Sequence, residues 1–185
     1  MKFAYADPPY LGCCKLYGHH HPDKKCWDDL ETHAALIDRL CREYPDGWAL
    51  SLHSPSLQRI LGRCPLNVRV AAWVKPFAIF KPNVNPAYAW EPVIFRGGRK
   101  LTRDDKTIRD FVSANVTLQR GTTGAKPEAF SYWLFDVLNM RPDDEFDDLF
   151  AGSGSVSRAH ETWKSQYYGL FAGSATGQIT TAGAE

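Results

Sequence analysis

The apolar run that opens this chain, Phe3-Ala4-Tyr5-Ala6, stops against Asp7-Pro8-Pro9-Tyr10. Consecutive prolines have no backbone N–H and a fixed φ, so a strand over residues 2–6 cannot carry its ladder past Ala6 and must end in a rigid turn. The turn displays a carboxylate and an aromatic ring from an inflexible frame. Residues 11–28 are rich in Gly, His, Cys and Lys without a period and read as a loop over whatever the strand feeds.

Downstream, two apolar periodicities alternate. Leu30, Ala34, Ile37, Cys41 and Tyr44 recur at helical spacing behind the candidate N-caps Asp28 and Asp29, and Pro45-Asp46-Gly47 ends the pattern. A buried strand follows over residues 48–52, then a short helix opened by Ser54-Pro55 and closed by Gly62, then a strand over 68–74. Pro127 opens a helix whose Phe130, Trp133, Leu134, Val137 and Leu138 share one face. Residues 147–150 read as a strand, Ala151-Gly152-Ser153-Gly154-Ser155 as a turn, Val156, Ala159 and Trp163 as a helix, and 167–171 as a last strand. Strands alternating with helices predict an α/β sandwich with a mostly parallel sheet and helices on both faces. One domain over residues 1–171 and a flexible tail at 172–185 are expected. Ligands of such sheets sit beyond the C-terminal ends of the strands, which puts the turns at 7–10 and 150–154 over one crevice.

The glycine turn by itself reads as a nucleotide-like site, because absent side chains admit a ligand to the backbone and the following helix N-terminus supplies N–H donors. The Asp-Pro-Pro-Tyr element is more specific. With it the chain resembles the amino-methylating nucleic-acid methyltransferases, which use S-adenosylmethionine to methylate the exocyclic amine of adenine or cytosine. Lys126-Pro127 at a helix start, followed by Asp148-Leu149-Phe150-Ala151-Gly152-Ser153-Gly154, looks like the cofactor block of that family. The order, Asp-Pro-Pro-Tyr before the glycine turn, is similar to its circularly permuted β-type arrangement.

The resemblance implies a Rossmann-like class I methyltransferase fold and a division of labour. Asp7, Pro8, Pro9 and Tyr10 are the implied catalytic residues. Asp7 and the Pro8 carbonyl would accept hydrogen bonds from the target amine, whose lone pair is otherwise delocalised into the ring, and Tyr10 would stack on an extruded base. Asp7, Lys126, Pro127, Asp148, Phe150, Ala151, Gly152, Ser153 and Gly154 are the implied cofactor residues. In the family it resembles, an acid before Pro-Pro is the form associated with adenine N6, so the resemblance implies that target, in DNA. Cytosine N4, an RNA adenine and a catalytically silent nucleic-acid- or cofactor-binding subunit stay open, as does monomer against homodimer.

Charge bears on where a nucleic acid is gripped. With 22 Lys and Arg against 21 Asp and Glu, the net charge of +1 provides no global field, so contact needs a local patch. Residues 75–125, broken by Pro76, Pro82, Pro86 and Pro92 around a short strand at 93–95, read as an inserted target-contacting segment. Its Trp90, Arg96, Arg99, Lys100 and Arg103, with Lys15 from the first loop, are the candidate nucleic-acid contacts. Cys13, Cys14, Cys26, Cys41 and Cys64 read as reduced thiols, and the Cys and His residues of the first loop follow no recognised ligand spacing, so no metal is expected. The longest apolar runs fall far short of the roughly 18 residues of a membrane span, and Asp7 interrupts the N-terminus before a signal-peptide core. A soluble, cytoplasmic protein is the expectation.

Overall fold

The computed structural model describes residues 1–14, 27–77, 82–116 and 125–172, so the tail expected at the C-terminus lies outside the described residues. Among those described, six strands form one sheet in the order β5-β3-β4-β2-β1-β6: β1 Lys2–Ala6, β2 Gly47–Ser51, β3 Arg69–Val74, β4 Trp90–Gly97, β5 Phe111–Ser113 and β6 Glu145–Asp148. Pairings β1–β2, β1–β6 and β3–β5 are parallel, whereas β4 is antiparallel to both of its neighbours. Five strands therefore run one way and β4 alone runs back.

Helices α1 Leu30–Glu43, α2 Leu57–Leu61, α3 Glu128–Val137 and α4 Ser155–Ala172 complete the fold. α1 starts where the capping signal placed it, with the Asp29 carboxylate accepting the Glu31 N–H at 3.2 Å. The strict alternation of β1 divides the core in two. Phe3 and Tyr5 join Phe130 and Leu134 of α3, Leu138 that caps it, and Val156 of α4 on one face of the sheet. Ala4 and Ala6 join Leu36, Ile37 and Leu40 of α1 on the other. The expected two-faced sandwich is what forms.

Two elements differ from expectation. Residues 167–171 are the end of α4, not a strand: Val156, Ala159, Trp163 and Tyr167 continue the helical spacing, and a single Gly169, disfavoured in a helix by about 1 kcal/mol, does not stop it. Among the described residues β6 is consequently an edge strand. The segment read as inserted also lies partly inside the sheet, because β4 is eight residues long and sits between β2 and β3. Pro92 is tolerated there because the β2 ladder ends as Ser51 pairs with Val93, and the Pro92 carbonyl still accepts the Leu52 N–H at 3.2 Å.

At the lower edge, where the parallel strands begin, Gly97 adopts φ +75°, and a Cβ there would stand 2.6 Å from the Asp46 carbonyl oxygen. Next to it, Arg99 Nη2 reaches both oxygens of Asp144, at 2.6 and 2.8 Å, and the Arg141 N–H adds a third bond at 2.7 Å. Burial pushes the Asp144 carboxyl up, but hydrogen bonds from the Met1 ammonium, Arg99 and Arg141 outweigh it and leave the group below its ordinary 3.8. A carboxyl depressed by folding stabilises the native state above its unfolded pKa and loses that contribution as pH falls through its folded pKa. Asp144→Asn should therefore lower the unfolding free energy at pH 7 by roughly 1.5–3 kcal/mol. The difference from the wild type should vanish between about pH 4 and more acid conditions, as followed by urea titration at each pH.

Candidate active site

Because five strands run the same way, their C-terminal ends converge on one upper edge. Asp7 follows β1, His53 follows β2, Lys75 follows β3, Ala114 follows β5, and the glycine turn follows β6. The reversed β4 begins there, with Trp90 and Glu91, and α3, antiparallel to its strands, opens there just after Lys126. The two turns expected over one crevice are neighbours because β1 pairs with β6.

The centre of this edge is a network of charges. Lys126, 4% exposed at its side chain, places Nζ 2.7 Å from Asp7 Oδ2 and 3.7 Å from Glu91 Oε2. The Tyr10 hydroxyl stands 3.1 Å from Asp7 Oδ1 and 3.0 Å from Glu91 Oε2, one proton facing two carboxylates, and its oxygen accepts from Lys126 Nζ at 3.2 Å. Lys75 pairs with Glu91 Oε1. Both ammonium groups lie over the Trp73 ring, Lys75 at 4.8 Å and Lys126 at 5.6 Å from its centroid, and the Trp73 indole N–H donates to the Ala114 carbonyl at 2.8 Å.

The electrostatics follow from that geometry. Burial alone would pull the Lys126 ammonium down, but Asp7 and Glu91 outweigh it and raise its pKa above the ordinary value. Burial alone would raise Glu91, but Lys126 and Lys75 outweigh it and hold the carboxyl low. His53 stacks on Tyr10 with centroids 5.6 Å apart and planes 16° from parallel, and its Nδ1 lies 2.9 Å from Ser56 Oγ. Burial pulls this imidazole below its ordinary 6.5, against the pull of nearby Glu91, so it is neutral at pH 7.

The glycine turn offers a different environment. Gly152 and Gly154 take φ +48° and +70°, values that disfavour any side chain. The Gly154 N–H closes the turn on the Ala151 carbonyl at 2.6 Å, and Ser153 accepts from Arg158 through its carbonyl at 2.7 Å. Phe150 packs edge-on against Trp27. Asp148 accepts the Ser157 hydroxyl on Oδ2 at 2.9 Å, while its buried Oδ1 has no partner among the described residues. Burial raises this carboxyl despite the Ser157 bond.

Of the residues singled out in the sequence, Asp7, Pro8, Pro9, Tyr10, Lys126, Pro127, Asp148, the turn at 150–154 and Trp90 gather at this edge. Lys126 aims its ammonium at Asp7 and Glu91 instead of the glycine turn. Trp90, 39% exposed, borders a groove with Ser54, Asn83, Asn85 and Tyr88. The basic run does not join them. β4 runs away from the edge, so Arg96, five strand residues past Glu91 at about 3.3 Å each, lies roughly 17 Å off, and Arg99, Lys100 and Arg103 follow it beyond the strand. Arg96 there donates to Asn67 and Arg99 to Asp144. The direction of one strand thus carries this run to the opposite edge of the sheet from Asp7. Lys15 and most of the Cys- and His-rich loop lie outside the described residues, and no metal-binding cluster occurs among those described. No described helix is long and apolar enough to cross a membrane. Lys75 and Trp73 carried no local sequence signal.

No protein-family model matches the sequence, and no curated protein matches it. Among solved structures the chain is similar to M1.HpyAVI in its complex with SAM, at 15% identity and TM-score 0.56, over 87% of this chain and 78% of that one. A second M1.HpyAVI structure matches at 18% identity and TM-score 0.54, over 89% and 77% of the two chains. The shared architecture is a Rossmann-like α/β sandwich.

The network makes Lys126 the keystone of the edge. Lys126→Met removes a buried cation from between two partly buried carboxylates, and breaking a buried pair at one partner costs about 3–5 kcal/mol. Chemical denaturation at pH 7 should show that loss, against a change within about 0.5 kcal/mol for the exposed Lys100→Met.

Proposed function

We propose that the chain transfers a methyl group from S-adenosylmethionine to the exocyclic amine of a base in DNA, with adenine N6 as the target. The observation that carries this reading is the juxtaposition of two unlike turns. A carboxylate framed by two buried prolines ends β1, and a left-handed glycine turn with an unpartnered buried carboxylate oxygen ends the adjacent β6.

The residues of the second turn fit the cofactor. Asp148 Oδ1 is a buried acceptor in want of a donor, and a Cβ added at Gly152 would touch only the Phe150 carbonyl oxygen, at 3.6 Å. Asp148, Phe150, Ala151, Gly152, Ser153 and Gly154 would hold it. That M1.HpyAVI, a protein of the same fold, was solved with SAM supports the assignment. When bound, S-adenosylmethionine supplies a methyl group already activated by its sulfonium.

The other residues act on the amine. Asp7 accepts an amine N–H, and the Pro8 carbonyl takes the second, favouring a more tetrahedral nitrogen whose lone pair is available. The Pro-Pro frame fixes these acceptors before the base arrives, so little reorganisation remains at the moment of reaction. The Tyr10 ring, stacked on His53 and with the Lys126 ammonium 5.7 Å from its centroid, is the aromatic surface against which an extruded base would be held. Trp90 and the groove beside it extend the same surface toward the neighbouring nucleotides.

The purified protein, incubated with methyl-labelled S-adenosylmethionine and unmethylated genomic DNA, should yield labelled N6-methyladenine in nucleoside mass spectrometry. Labelled N4-methylcytosine would move the target atom, label in RNA alone would move the substrate, and cofactor binding without transfer would make the chain a silent subunit. Asp7→Ala should lower kcat by about 100-fold or more, the scale of a lost transition-state hydrogen bond. Gly154→Val, which forces a β-branched residue into φ +70°, should instead weaken S-adenosylmethionine binding by about tenfold in calorimetric titration.

A further inference from the structure

Both donors that occupy Asp7 have a second carboxylate within reach. Asp7 Oδ2 is taken by Lys126 at 2.7 Å and Oδ1 faces the Tyr10 hydroxyl at 3.1 Å, so an arriving amine meets an acceptor already engaged on both oxygens. Glu91 Oε2 stands 3.0 Å from the same hydroxyl and 3.7 Å from the same ammonium. We propose that Glu91 is a positioning residue that takes Lys126 and the Tyr10 O–H from Asp7 when substrate binds, releasing Asp7 to accept the amine N–H.

The exchange moves hydrogen bonds and no proton. Lys126 remains an ammonium throughout, and the local set of two carboxylates and two ammoniums keeps the same total charge, so no unpaired buried charge is created. Glu91 is prepared for the role by Lys75, which anchors its other oxygen Oε1 and leaves Oε2 turned toward Tyr10 and Lys126. Trp73 fixes the scene from the far side, its ring beneath both ammoniums and its N–H tied to the Ala114 carbonyl. Glu91 is brought to this place by the reversal of β4 and is separated from Tyr10 by 81 residues. This inference rests on the methyl-transfer reading for its purpose, but its physical core, a lysine that either carboxylate can hold, is testable without it.

A double-mutant cycle with Asp7→Asn and Glu91→Gln, read by thermal melting, tests that core. Each single variant leaves Lys126 one carboxylate; the double variant leaves it none. The fall in Tm of the double variant should exceed the sum of the two single falls. Additive falls would overturn the proposal. If the double variant does not fold, adding Lys126→Met, which removes the stranded cation, should restore a cooperative melt, and failure to restore it would likewise count against the proposal. In the transfer assay, Glu91→Gln should lower kcat about tenfold or more with KM for S-adenosylmethionine unchanged, whereas a wild-type kcat would exclude the hand-over. A wild-type protein that transfers nothing overturns the methyl-transfer reading, while the melting cycle still decides what Glu91 does.

Discussion

A lysine ammonium that folding removes from water must be met by charge, and in this molecule that single demand joins three distant parts of the chain. Lys126 precedes α3, Asp7 ends β1, and Glu91 lies at the start of β4, and none of the three can be displaced without stranding a buried charge. The cost of dehydrating Lys126 is offset by two carboxylates and the face of Trp73, and the cost of dehydrating Glu91 by two lysines. Such a network contributes little net stability compared with an apolar core of the same volume. What it provides is a fixed arrangement of acceptors and donors at the mouth of the sheet, where a flexible arrangement would have to be ordered again for every substrate.

The direction of β4 decides what that mouth contains. Were β4 parallel to its neighbours, Arg96 and Gly97 would stand beside Asp7, and Trp90 and Glu91 would be at the far edge. Its reversal exchanges the two ends, bringing an aromatic and an acid to the site and sending the arginines to the lower edge, where Arg99 secures Asp144. The charge at the site is consequently balanced. Under the proposed reading, that suits an uncharged heteroaromatic amine better than a phosphate at this position, and leaves phosphate contact to surfaces further out.

What was legible in the sequence was local. The Pro8-Pro9 stop, the Asp29 cap, the apolar face from Phe130 to Leu138 and the glycine turn each depend on residues a few positions apart, and each formed as expected. The failures were of another kind. The end of α4 was read as a strand because Tyr167 to Phe171 is rich in β-forming residues, but the helical face set by Val156, Ala159 and Trp163 packs on Phe135 and carries the chain past that composition. The partner of Lys126 is 119 residues away, and no pattern in one chain announces that Asp7, rather than the glycine turn, will receive its ammonium. Strand direction is likewise invisible to periodicity, because a run of apolar residues reads the same either way.

Parity along one strand links the legible part to the rest. In β1 the odd residues Phe3 and Tyr5 face α3 and α4, and the even residues Ala4 and Ala6 face α1. Asp7 continues the odd series, which turns it toward the face from which α3 delivers Lys126. On β6, Asp148 stands in register with Tyr5, and its side chain bonds Ser157 of α4 on that same face. The two carboxylates that the proposed reaction needs, one for the amine and one at the glycine turn, are thus carried on the same side of adjacent strands by a single register. Sliding β6 by one residue would turn Asp148 to the α1 face and Leu149 to the site, and the turn at 150–154 would follow it. The apolar burial of Phe3 and Tyr5 therefore does more than stabilise the sheet: by fixing which side of β1 is which, it fixes where the proposed chemistry would be done.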